Sequence, residues 1–285
     1  MSSPLHQPID PTQFVEIFKP RDPAGHKGTF GSAAIVGGAT GMTGAAILAA
    51  RSALKSGAGR VYVGLAQQSP DLQLDWLQPE LMFRQFESLM TLASQMTAWG
   101  VGCGLGADAY GLYCLKTVFR ERGSTPLVVD ADALNALARG DVSADWGEGT
   151  VVLTPHPAEA ARLLGTTVQD VNANRPDAAQ TLAKQYNAWV VLKGQYSVVC
   201  NPAQRYQTNP TGNVALATAG SGDVLTGLMT SLLAQGFEAD VAVPAAVWLH
   251  GAAADQLVND LGGNIGLTAG EFIEAIRFMR SHSPT

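Results

Sequence analysis

Six short apolar runs, at 33–36, 61–65, 98–101, 127–129, 151–153 and 190–192, alternate with stretches of helical periodicity. This alternation constrains the fold more than any single motif. Each run is mainly apolar and is followed by Gly, Ala, Asp, Thr or Lys, as strands buried on both faces of a parallel sheet are. Candidate helices lie between the runs at 44–56, 110–122, 133–138, 157–164 and 176–186. The expected class is α/β: a mostly parallel sheet with helices on both faces. Runs at 197–200 and 206–208 around Asn201-Pro-Ala-Gln read as a hairpin, and helices beginning at Asp223, Asp240 and Thr268 close the chain.

At 285 residues, 46% hydrophobic and only 15% charged, the chain is able to bury one large core, and its 31 glycines suit tight strand-to-helix turns. No repeat, charge block or low-complexity linker follows residue 26, so the expected organisation is an N-terminal segment, 1–26, with no assigned role, and a single domain over 27–285. A net charge of −6 and a pI near 5.3 argue against nucleic-acid and anionic-membrane partners, which demand clustered Lys and Arg. The most apolar later run, 241–249, is bounded by Asp240 and His250 and interrupted by Pro244, well under the roughly 18 residues of a membrane span. No signal peptide is visible at the start of the sequence. Cys103, Cys114 and Cys200 are odd in number and lack metal-ligand or CxxC spacing, so a reducing cytoplasm is expected.

Ligands of such sheets gather at the carboxyl ends of the strands, and several motifs fall there. Gly220, Ser221 and Gly222 precede an apolar run of helical spacing (Val224, Leu225, Leu228, Met229, Leu232, Leu233), so three nearly side-chain-free residues open a helix. Free N–H groups and the positive helix end there suit a phosphate oxyanion. Asp223, next in line, reads either as a base for a hydroxyl that attacks phosphorus or as a simple first-turn acid. The Gly-rich loops at 37–45 and 102–106 permit close approach of a ligand, although neither is a GxGxxG fingerprint and no GxxxxGK[ST] occurs. Asp130 and Asp132 follow a strand and read either as a magnesium-holding pair or, for Asp132, as a helix cap. His156 stands between two prolines in Thr154-Pro-His-Pro-Ala-Glu159 and is a candidate substrate contact; no second ligand at a recognised spacing makes it a metal site. Lys193, beside Gly194, is able to supply phosphate charge that the acidic chain otherwise lacks.

Taken together, Lys27-Gly28-Thr29-Phe30-Gly31, the 37–45 loop, Asp130-Ala-Asp132-Ala-Leu-Asn135, Leu153-Thr-Pro-His-Pro-Ala-Glu159, Leu192-Lys-Gly194, and Asn209-Pro-Thr-Gly-Asn213 with Gly220-Ser-Gly-Asp223 resemble the ADP/ATP-dependent NAD(P)H-hydrate dehydratases over roughly residues 26–280. The resemblance implies a ribokinase-like fold in a stand-alone form, without a preceding epimerase domain. It implies an enzyme that returns (S)-NADHX and (S)-NADPHX to NADH and NADPH, cleaving ADP (or ATP) to do so, with Mg²⁺ and as a homotetramer. Carried over position by position, it implies that Ala45, Gly104, His156 and Asp223 contact the hydrated nucleotide. Lys193, Gly194, Gln195, Tyr196, Ser197 and Gly222 would contact the adenine nucleotide, Gly220, Ser221 and Gly222 would form the anion hole, and Asp223 would be the catalytic base. No residue is assigned as a metal ligand. Cys103 stands where relatives often have Pro. A ribokinase-like small-molecule kinase of the hydroxyethylthiazole type and a non-catalytic nucleotide-binding protein are the rival readings.

Overall fold

The computed structural model describes residues 7–70 and 72–282; the first six residues of the 1–26 segment lie outside the described residues. The strands are β1 (Gln7–Pro8), β2 (Ser32–Gly37), β3 (Arg60–Leu65), β4 (Met82–Arg84), β5 (Ala98–Val101), β6 (Leu127–Val129), β7 (Val151–Leu153), β8 (Trp189–Leu192), β9 (Val198–Cys200) and β10 (Tyr206–Thr208). The helices are α1 (Thr43–Lys55), α2 (Phe86–Met90), α3 (Ala109–Glu121), α4 (Ala131–Ala138), α5 (Pro157–Leu164), α6 (Val168–Ala173), α7 (Arg175–Tyr186), α8 (Ser221–Ala234), α9 (Ala239–Leu261) and α10 (Ala269–Arg280). All strands join one sheet in the order β1-β10-β9-β8-β7-β6-β5-β2-β3-β4, parallel except where β9 pairs with β8 and β10.

The apolar runs are continuous because both faces of the sheet are covered. Along β2, Ala33 and Ile35 face the core formed with α1, α8, α9 and α10, while Ala34 and Val36 face the core beneath α2 to α7. The chain moves from β2 to β3 and β4 on one side, then returns to β5 on the other side of β2 and continues to β8. The order thus reverses between β2 and β5, the switch point at whose carboxyl ends a ligand crevice is expected. The two Gly-rich loops flank that crevice and are tied together: the N–H of Gly38 donates to Cys103 O (2.9 Å) and that of Ala39 to Gly104 O (2.7 Å).

The segment before residue 27 contributes to the core. β1 pairs with β10, and Phe14 and Ile17, in a 3-10 helix over Pro11–Phe18, are fully buried. Phe14 and Phe18 pack on Trp248 of α9 at ring-centroid distances of 6.0 and 6.4 Å. α9 itself runs beyond the apolar run read from the sequence, through Gly251-Ala-Ala-Ala254 to Leu261. It is the one helix among the described residues that reaches membrane-spanning length and hydropathy, and 72% of its most apolar window is buried inside the fold. It is a core helix.

Small residues set the position of α8. Ala46, Ala49, Ala50 and Ala53 of α1 are fully buried, and a β-carbon on Gly227 would overlap the Ala49 carbonyl. The two helix backbones therefore touch at this point, which fixes where the start of α8 meets the sheet edge. Gly227→Ala tests this contact. Helix propensity alone favours Ala by about 1 kcal/mol, whereas overpacking at a backbone contact costs about 1–3 kcal/mol. We expect the steric term to win and the variant to show a lower midpoint in urea unfolding; a midpoint at or above that of the wild type would refute the contact.

Candidate functional site

The start of α8 lies at the carboxyl edge of the sheet. The helix begins at Ser221, within the Gly220–Gly222 stretch read from the sequence as its opening and two residues before Asp223, and Gly220 caps it with a φ of +89°, which a glycine adopts without strain. No side chain caps the first turn. The Ser221 hydroxyl turns away and donates to Leu216 O at 2.7 Å. Gly222 is open: a β-carbon there would lie 3.5 Å from Lys193 Nζ and 3.8 Å from Asp130 Oδ2. Asp223 is in the first turn and not at the cap. Its carboxyl is pushed up to about 6, by burial first; the Cys103 thiol and Lys193 oppose the rise, and Asp130 and Asp132 add to it. Burial outweighs the helix end, which by itself favours the ionised form.

Asp130 organises the centre of the site. It is 2% exposed; Oδ1 lies 2.6 Å from Lys193 Nζ, and Oδ2 accepts from the Thr226 hydroxyl at 2.8 Å. Burial works against the Lys193 charge, but Asp130 and then Glu159 hold it above its ordinary value. The paired-carboxylate reading of Asp130 and Asp132 fails. Ala131 between them has a φ of +50°, so the strand alternation behind that reading does not apply, and Asp132 Oδ2 accepts from the Gly106 N–H at 2.8 Å while Asp130 is bound to Lys193 and Thr226. Nor is Asp132 the cap of α4; Asp130 holds that position without a side-chain capping bond. Among the described residues no group of three or more His, Cys, Asp or Glu is arranged around a metal position.

His156 is the N-cap of α5. Its Nδ1 accepts from the N–H groups of Ala158 (3.1 Å) and Glu159 (3.3 Å), and Glu159 Oε2 accepts the His156 N–H at 2.8 Å. The imidazole is held below its ordinary pKa by burial and by Lys193 and Arg162, while burial pushes Glu159 up to about 7. The ends of β7 and β8 are joined here, because the Lys193 N–H donates to Pro155 O at 2.8 Å.

On the other side of Lys193 a cavity of about 500 Å³ is lined by residues 193–197, Ser221, Gly222, the 209–217 loop and α9. Arg175 braces the 193–197 turn by donating to Leu192 O (2.8 Å) and Lys193 O (3.1 Å). The loop is clamped to α9: Asn209 Nδ2 donates to Val247 O (3.1 Å), Thr211 Oγ1 to Trp248 O (2.9 Å), and the N–H of Gly212 to Asp255 Oδ2 (2.8 Å). Thr211 lies so close to Gly251 that no side chain fits there. His250, buried in the same wall, is pushed down to about 4 by burial, so its ring is neutral.

The sequence candidates therefore divide into two groups. Lys193, Gly194, Gln195, Tyr196, Ser197, Ser221 and Gly222 line one cavity. Ala45 and Gly104 adjoin each other at the β2/β5 crevice, where a β-carbon on Gly104 would lie 3.1 Å from that of Ala45, and His156 stands between the groups at the end of β7. Asp223 lies beside the Cys103 thiol. Thr226, Arg175, His250 and Asp255 escaped the sequence reading. Only Thr226 had a signal, its spacing of three from Asp223 on one helix.

Comparisons with known proteins identify the family. A family model described as NAD(P)H-hydrate dehydratase matches residues 33–277. A protein of Neisseria meningitidis serogroup B named ADP-dependent (S)-NAD(P)H-hydrate dehydratase is 44% identical over 271 residues, 94% of this chain and 91% of that protein. The crystal structure of the ADP/ATP-dependent NAD(P)H-hydrate dehydratase from Bacillus subtilis, co-crystallized with ATP/Mg²⁺, superposes with a TM-score of 0.85 at 30% identity, covering 97% of this chain and 99% of that one. Hydroxyethylthiazole kinase from Pyrococcus horikoshii OT3 superposes with a TM-score of 0.62 at 14% identity over 90% of this chain and 89% of its own, a likeness of ribokinase-like fold alone.

The Asp130–Lys193 pair makes a thermodynamic prediction. Removing one partner leaves a buried charge uncompensated, which costs about 3–5 kcal/mol, whereas removing both is far cheaper. Asp130→Ala is expected to lower unfolding stability on that scale, and Asp130→Ala with Lys193→Met to recover most of the loss. Additive losses in the urea-denaturation cycle would show that the pair is not energetically coupled.

Proposed function

The chain belongs to the NAD(P)H-hydrate dehydratase family, and from that membership and the geometry of its site we propose that it converts (S)-NADHX and (S)-NADPHX to NADH and NADPH while cleaving ADP, or ATP, as co-substrate. The observation that carries this reading is the half-buried Asp223, raised to about 6, at a helix start whose first turn has no side-chain cap and whose neighbour Gly222 is open. A carboxyl poised near neutrality is suited to take a hydroxyl proton. Uncapped N–H groups one residue away are suited to the phosphoryl oxygens.

In this reading the adenine nucleotide occupies the cavity against residues 193–197, Ser221 and Gly222, with its terminal phosphate at the Gly220–Gly222 helix start, where the Ser221 N–H would leave Thr218 O, 3.4 Å away, to meet it. The hydrated nicotinamide ring lies at the β2/β5 crevice against Ala45 and Gly104, with His156 and Asp223 reaching it. Asp223 takes the proton of the ring hydroxyl, whose oxygen forms a bond to the terminal phosphorus of ADP as the bond to AMP breaks. The ring-nitrogen lone pair then expels orthophosphate, and the neighbouring carbon gives up a proton as the ring double bond forms. Asp130 and Asp132 both commit their carboxylates to contacts within the protein, so these residues do not form a resident Mg²⁺ cage. We place Mg²⁺ with the nucleotide phosphates, where it would neutralise charge. Three buried free cysteines suit a reducing cytoplasm, and exposed Trp76 and Leu77 offer apolar surface for the homo-oligomer, a tetramer, that the family resemblance implies.

Two measurements test the chemistry. Because Asp223 acts as a base only when ionised, kcat/KM is expected to fall as pH drops through about 6. Asp223→Asn is expected to lose that limb together with at least about 10²-fold in rate while still binding ADP; near-normal turnover would reject Asp223 as the base. Phosphorus NMR of the reaction is expected to show orthophosphate and AMP rising together with the reduced dinucleotide. Accumulation of a stable phosphate ester without orthophosphate would assign the protein to the small-molecule kinases instead.

A further inference from the structure

A capping box ordinarily places Ser or Thr at the N-cap. Here an imidazole does the work of the hydroxyl, with a consequence that a hydroxyl would not have. His156 Nδ1 receives two backbone N–H groups, from Ala158 at 3.1 Å and Glu159 at 3.3 Å, so it must be the bare nitrogen of the neutral ring. The hydrogen is then on Nε2. Burial, Lys193 and Arg162 all disfavour the imidazolium, so this neutral tautomer is the form to consider near neutral pH.

Glu159 closes the arrangement. It is 5% exposed, its Oε2 accepts the His156 N–H at 2.8 Å, and its Oε1 stands 3.4 Å from His156 Nε2. One carboxylate thus accepts from the backbone of the histidine and stands beside its far nitrogen. Pro155 and Pro157 stiffen the chain on either side, and the His156 side chain remains 47% exposed at the carboxyl edge of the sheet. Nothing else in the fold requires an imidazole at this cap, since Thr167 and Thr268 build equivalent capping boxes at α6 and α10.

We propose that Glu159 is a positioning residue which, together with the α5 cap, fixes His156 as an Nε2–H donor directed at an acceptor oxygen of the hydrated nicotinamide nucleotide. The inference rests on the reading of His156 as a contact of that substrate. It excludes His156 as the acceptor of a proton from the substrate, because the nitrogen that could accept is occupied by the helix. An acceptor oxygen of the ligand takes the Nε2–H, which Glu159 Oε1 neighbours at 3.4 Å. An amide, hydroxyl or phosphate oxygen of the hydrate fits this donor equally, and the test below does not depend on which it is.

The test uses the full-length protein with Glu159→Gln, Glu159→Ala and His156→Ala. In Glu159→Gln the side-chain carbonyl still accepts the His156 N–H, so α5 keeps its cap and the melting temperature is expected to stay near that of the wild type. The amide NH₂, however, then opposes Nε2–H, donor against donor. KM for the hydrate is expected to rise about tenfold, the scale of one lost hydrogen bond, with the ADP affinity by calorimetry unchanged. Nitrogen-15 NMR of imidazole-labelled wild type is expected to show His156 with hydrogen on Nε2, and Glu159→Gln to disturb that signature. Glu159→Ala loses the cap contact as well and should add a fall in melting temperature. A normal hydrate KM in Glu159→Gln, or hydrogen on Nδ1 in the wild type, overturns the proposal even where His156→Ala weakens hydrate binding. If His156→Ala leaves hydrate binding intact, the reading of His156 as a substrate contact fails first, and this inference with it.

Discussion

The Asp130–Lys193 contact is the interaction on which the site depends, because it draws together three elements that are distant in sequence. Asp130 directly follows β6, Lys193 directly follows β8, and Thr226, which donates to the second Asp130 oxygen, belongs to α8. A buried pair of this kind gains little over apolar packing, since desolvation offsets most of the attraction. Its value is geometric. A carboxylate that is 2% exposed tolerates no unpaired oxygen, so both partners must arrive at fixed positions, and the side of α8 that carries Thr226 is pinned to the strand ends. Asp223 lies one helical turn earlier and inherits that placement.

Backbone contacts complete what the ion pair begins. Gly227 against the Ala49 carbonyl sets α8 on α1, and the Gly38 and Ala39 bonds to the 103–104 carbonyls set the crevice loops on each other. The carboxyl of Asp223 is held between these fixed parts. Its raised pKa follows from being placed there: burial and the neighbouring Asp130 and Asp132 prevail over the thiol of Cys103 and the charge of Lys193.

How much of this was legible in the sequence follows from the range of each interaction. The strands at 33–36, 98–101 and 127–129 were readable because a sheet covered on both faces requires uninterrupted apolar runs. β4, three residues, and α6, six residues, are too short to show a period, although Thr167 and Asp170 at α6 do spell a capping box. The Asp130/Asp132 pairing was misread because alternation of side chains holds only while the backbone stays extended, and Ala131 at +50° has already left the strand. α8 began earlier than the apolar run because glycine and serine in a first turn have no apolar period to display. Asp255, whose carboxylate holds Gly212 and Asn213 from 42 residues away or more, left no local trace.

The ion pair also bears on how an acidic protein handles phosphate. Lys193 is the cation nearest the open Gly222, yet its charge is already matched by Asp130 at 2.6 Å. A phosphate arriving at α8 therefore meets no unmatched lysine, with Asp132 and Asp223 also close by, and it is held chiefly by neutral N–H dipoles and by whatever cation travels with it. That arrangement suits a reaction in which a terminal phosphoryl group leaves one nucleotide, is bonded briefly to a second, and departs as orthophosphate: a fully exposed lysine would hold the product as tightly as the substrate, whereas dipoles fixed by α8 act most strongly where the transferring oxygens lie. The net charge of −6 is thus compatible with phosphate chemistry, because the site draws its positive potential from backbone geometry more than from side-chain charge.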